Sequence, residues 1–133
     1  MSNKFLNQTS TWIQTQIPFD LPKNIKLKQE LHKEENVFYG HTKMQKIRNQ
    51  IKITITIHIS NSLLKRKGIQ EATKKILVHE FCHVLNPFHP DKVMKLYFPD
   101  IWNIWEQCQK VKALECDTQI TEISSVQSEN IEQ

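Results

Sequence analysis

At 133 residues and a formal net charge of +4, the chain has room for one domain with a sizeable core but not for two. An apolar fraction of 38% excludes a disordered or collagen-like chain, and no apolar run approaches the length of a membrane span. The opening "MSNKFLNQTSTWIQTQIPFDL" has no apolar core segment of a secretory signal, which predicts a cytoplasmic protein unless the N-terminus is truncated.

Cys82, Cys108 and Cys116 are odd in number and follow no CxxC spacing, which points to reduced thiols rather than a disulfide framework. All 18 Lys and Arg fall between Lys4 and Lys112 beside nine acids, whereas the residues from Glu115 onward hold five acids and no Lys or Arg. The lysines are scattered without an arginine cluster or interleaved aromatics, so the composition argues against a nucleic-acid interface.

In chain order, Ile13, Thr15, Ile17 and Phe19 alternate with polar residues and predict a first strand, with Pro18 at its edge or end. "NIKLKQEL" predicts a second strand through Ile25 and Leu27, and "NVFYGHT" (36–42) a third. In "IKITITIHIS" (51–60), five isoleucines point one way and Lys52, Thr54, Thr56, His58 and Ser60 the other, so one face is core and the other half-wet. On that polar face His58 reads as a surface residue. With only two glycines, positive-φ turns are expected at Asn, in "NQ" at 49 and "SNS" at 60–62.

From Ile69 the period becomes helical, and the helix is apolar nearly all round from Ile76 to Leu85. A second helix is expected after "FPD", with Ile101, Ile104, Trp105, Cys108 and Val111 as its apolar stripe. The order predicts an α+β domain over 1–114, a small twisted mixed sheet packed on the Ile69 helix and followed by a C-terminal helix. Residues 115–133 read as an acidic, disordered tail.

The chemistry concentrates in "HEFCHVLNPFH", residues 79–89. His79 and His83, four apart on a helix, present two imidazoles to one ion, and Glu80 beside them is placed to take a proton from an activated water. Two or three imidazoles suit Zn²⁺. His89 would face away on a continued helix, but Pro87 ends it at Asn86 and lets His89 turn back as third ligand. The bland account makes His79 and His83 core histidines bonded to backbone and His89 a loop residue. It must then explain three His and a Glu in an otherwise apolar element.

The motif resembles the metzincin pattern HExxHxxGxxH at every position except Asn86, and Met94 stands where a methionine turn would lie. The same residues are similar to the SprT-like and YgjP-like zinc peptidases, which lack that turn. Either resemblance implies a zinc metalloendopeptidase with one Zn²⁺ per chain, held by His79, His83 and His89, with Glu80 as general base. It also implies a peptide or protein substrate bound as an extended strand along 36–42. The alternatives are a SprT-like protease acting on DNA-associated proteins and a non-catalytic zinc module closed by Cys82 or Glu115.

Overall fold

The computed structural model of the protein describes residues 2–110 and 125–131. Its architecture is α+β: helices packed on a small mixed sheet, in the order α1 (Asn3–Gln16), β1 (Ile25–His32), β2 (Phe38–Ile47), β3 (Gln50–Ser60), α2 (Ile69–Leu85), α3 (Pro90–Tyr97), α4 (Pro99–Lys110) and β4 (Ser125–Ile131). β3 pairs parallel with β1 and antiparallel with β2, and β4 adds parallel to the far side of β2.

β3 is the axis of the core because its alternation matches the pleat. Ile53, Ile55, Ile57 and Ile59 are buried against the helical layer, each contributing roughly 1.5–3 kcal/mol relative to exposure. Ile51, expected with them, is 56% exposed, since it pairs with Lys46 near the β2–β3 turn at the end of the sheet. Ile76, Leu77, Val78 and Phe81, which point in different directions from α2, are all buried, which makes α2 the central helix that its composition demands.

The first element differs from expectation: the segment read as a strand from Ile13 is the end of α1. Leu6, Thr9 and Ile13 share its buried face at helical spacing. Its threonines tolerate the helix because their hydroxyls bond back one turn, Thr9 to the Phe5 carbonyl and Thr11 to that of Asn7. The expected positive-φ turns are also displaced. Asn36 (φ 64°) and Arg48 (φ 56°) adopt that conformation, not Asn49 or Asn61, and Gly68 (φ 83°) turns the chain into α2.

Where a loop was expected after His89, the chain forms α3. Pro90 opens it, Asp91 sits in its first turn, and Met94 is buried at its centre. Within the acidic tail, 125–131 forms a strand, so that part departs from the disordered expectation. The unpaired edge of β2 explains it, since its backbone groups accept any strand that can run alongside. Glu115 and Cys116 lie outside the described residues. Among the described residues no helix is long and apolar enough to cross a membrane.

Candidate metal centre

α2 brings His79, Glu80 and His83 together, with one possible ligand atom from each within 4.8 Å of the others. The two imidazoles lie one turn apart with ring centroids 4.6 Å apart and planes at 82°. Trp105 of α4 stacks on His79, centroids 4.5 Å apart and planes 22° from parallel, and walls the site from behind. Both Trp105 and His79 are buried. The sequence marks Trp105 as core; its contact with His79 follows only from how α4 folds back.

Glu80 has no solvent exposure. Thr42 Oγ1 donates to its Oε1 at 2.7 Å. Its Oε2 accepts no hydrogen bond among the described residues and lies 3.6 Å from His79 Nδ1. A buried carboxylate oxygen without a donor is costly, and a water or cation at this point relieves that cost. The residues present therefore fit a metal ion: two imidazoles side by side and an oxygen turned toward them.

Phe38, Gly40 and Thr42 are the buried positions of β2, and Gly40 and Thr42 reach Glu80. A Cβ at Gly40 would stand 2.6 Å from Ile76 Cγ2 and 2.7 Å from Glu80 Cγ, so only glycine allows β2 this close to α2. Gly40→Ala is expected to destabilise the fold by about 1–3 kcal/mol through overpacking. It should also impair any chemistry carried by Glu80, and chemical denaturation beside an activity assay checks both. The alternation of "FYGHT" announces the inward face but not that Gly40 and Thr42 meet a glutamate from α2.

Burial, and then the neighbouring His79, hold the His83 imidazole below its ordinary value, so it is available as a neutral ligand. Burial also pushes the Cys82 thiol up to about 12, with the Asp91 and Glu80 carboxylates adding to the effect. Cys82 is a fully buried core side chain and stands outside the His79–Glu80–His83 group.

α2 ends where Pro87 requires, and Asn86 takes φ −148°, ψ 88°. That negative φ is open to any residue, so the asparagine in the glycine position of the resembled motif carries no strain. Asn86 Oδ1 accepts the His89 backbone N–H at 3.1 Å and turns the chain into α3. His89 caps α3 and its side chain is exposed, outside the His79–Glu80–His83 group. Asp91, two residues on and not anticipated from the sequence, places Oδ1 3.9 Å from His79 Nε2, so the first turn of α3 faces the histidine pair. Met94 lies inside α3 rather than on a turn, and is fully buried.

His58 is not the plain surface residue expected. It is half-buried on the outer face of the sheet, beside Glu30 and His32, and burial lowers its pKa from the ordinary value while Glu30 opposes that shift.

No protein-family model, no curated protein and no solved structure matches this chain.

Proposed function

We propose that the protein is a zinc-dependent metallopeptidase. The observation that carries this is Glu80: fully buried, anchored by Thr42 at one oxygen, its other oxygen turned toward paired imidazoles one helical turn apart. His79 and His83 hold the ion. In this reading His89, exposed at the start of α3 and outside the His79–Glu80–His83 group, turns in to supply the third nitrogen when the ion binds, in preference to the Asp91 carboxylate that lies 3.9 Å from His79. A bound Zn²⁺ supplies Lewis acidity for the scissile carbonyl and lowers the pKa of water.

The rest is done by the chain itself. Thr42 fixes Oε1 so that Oε2 is the oxygen that takes the proton from the attacking water and passes it to the leaving amine. Trp105 and the core around α2 hold the imidazoles and exclude water from behind. Substrate adds as an extended strand along β2 by backbone pairing. β4 pairs along His41–Ile47, which leaves the start of β2, at Phe38–Gly40, as the edge open to a peptide among the described residues. With Met94 inside a helix, the SprT-like and YgjP-like resemblance, which has no methionine turn, suits the chain better than the metzincin one.

A non-catalytic zinc module is the second reading, favoured by Asp91 at 3.9 Å from His79, where it would close the site as a fourth ligand. A fluorogenic peptide library separates the two. The zinc-loaded protein is expected to cleave at least one peptide class, to stop on chelation and to recover on adding zinc. A zinc-loaded, folded protein that cleaves none of them, with Asp91→Ala lowering zinc affinity at least tenfold, would establish the structural module instead.

A further inference from the structure

The outer face of the sheet, turned away from α2, carries a second group of metal-ligating side chains. Strand register alone places them. β1 and β3 run parallel with Glu30 opposite His58 and His32 opposite Ser60, and β2 sets Tyr39 opposite His58 on the other side. Glu30, His58 and Tyr39 thus form one row across three strands. His32, two residues beyond Glu30, reaches the same row diagonally.

The atoms converge. His32 Nε2 and His58 Nδ1 are 2.9 Å apart, a hydrogen bond between the two imidazoles that a bound ion would replace. The Glu30 carboxylate spans both, with Oε1 3.9 Å from His32 Nε2 and Oε2 3.8 Å from His58 Nδ1. Ligands about 2.0–2.1 Å from a tetrahedral zinc stand about 3.3 Å apart, so the imidazoles must part and the carboxylate approach by only a few tenths of an ångström.

Each imidazole has a further neighbour on this face. Glu34 Oε2 lies 3.7 Å from the other ring nitrogen of His32. Tyr39 stacks on His58, centroids 4.5 Å apart and planes 14° from parallel. The positive groups on this face are Lys26 and Lys28 on β1, Lys43 on β2 and Lys52 on β3, beside His41, whose ring lies 6.3 Å from that of His58. Lys28 and His41 act on His58 from among them, and Glu30 opposes their effect.

One nitrogen from each of two half-buried imidazoles and an oxygen of the Glu30 carboxylate lie within 4.8 Å of one another. We propose that Glu30, His32 and His58 form a second divalent transition-metal site, separate from the one on α2, with zinc as the fitting ion and a solvent-facing position left open. Bound there, the ion would replace the direct His32–His58 hydrogen bond as the side-chain link between β1 and β3.

This inference does not rest on the proposed peptidase function, and zinc stoichiometry keeps the two apart. Full-length protein would be dialysed against Zn²⁺ at neutral pH and its bound zinc counted, for wild type, His32→Ala and His83→Ala, with circular dichroism to verify folding. Two zinc per chain are expected in wild type and one in His32→Ala. Glu30→Gln should weaken the second binding event at least tenfold by calorimetry, and it substitutes an exposed residue that the fold does not need. Should His83→Ala fail to fold, the wild type, His32→Ala and Glu30→Gln series still decides the matter. If His32→Ala and Glu30→Gln both bind as much zinc as wild type with unchanged affinity, the sheet site is overturned, whatever happens on α2. A single zinc in wild type that is lost in His32→Ala and kept in His83→Ala would support the sheet site and contradict the α2 centre.

Discussion

Glu80→Gln is expected to lower peptide hydrolysis by roughly 10²–10⁴-fold, the usual contribution of a positioned general base, while the protein stays folded and binds zinc. The amide is isosteric, and its oxygen can still accept from Thr42 in the place of Oε1. What changes is the second atom, now an NH₂ that cannot take a proton. Because the variant removes an ionisable group from a fully buried position, its stability should equal or exceed that of wild type. Turnover against the most rapidly cleaved peptide, measured beside zinc content, tests this. Undiminished cleavage would remove Glu80 from the mechanism, and loss of zinc together with activity would make it a ligand.

Trp105→Ala should produce the largest loss of stability among the residues around the site. Trp105 is 4% exposed and fills the space between α4 and α2, and truncating a buried tryptophan costs about 3–5 kcal/mol. Against a total of about 5–15 kcal/mol for a domain of this kind, that is a large fraction. The same change removes the ring stacked on His79, so the imidazole gains freedom and zinc affinity falls as well. Trp105→Phe, which keeps an aromatic face, should recover most of the zinc affinity but only part of the stability. Denaturation with and without zinc resolves both effects. A loss below about 1 kcal/mol in Trp105→Ala would mean that α4 does not pack as described.

The parts of the structure that follow from local pattern were legible in the sequence. β3 is spelled by its isoleucines, α2 by the change of period at Ile69, its end by Pro87, and the start of α4 by Pro99 and Asp100. The pairing of His79, Glu80 and His83 required nothing beyond helical geometry. Errors arose where two patterns fit the same residues. Ile13 to Phe19 alternate like a strand, yet Leu6, Thr9 and Ile13 also sit at helical spacing, and that longer pattern prevailed. α3 has its signals in Pro90, Asp91, Met94 and Tyr97, within the stretch that the Pro87 break marks as a loop.

What the sequence could not carry is tertiary. Gly40 and Thr42 meet Glu80 only because β2 lies beneath that turn of α2, and Trp105 meets His79 only because α4 returns across it. His58 gains its neighbours from a parallel register between β1 and β3 that no single strand specifies. The edge of β2 that the resemblance assigns to substrate is partly taken by β4, a segment whose composition suggested no structure.

His89, the proposed third ligand, lies outside the His79–Glu80–His83 group, and its part in zinc binding decides between a three-histidine centre and one completed elsewhere. The most direct measurement is zinc content in a His32→Ala background, which silences the sheet site, with and without His89→Ala. One zinc per chain is expected, bound at least tenfold more weakly or lost when His89 is removed. Zinc retained at unchanged affinity in the double variant would contradict the three-histidine centre and move the third ligand elsewhere, to Asp91 first.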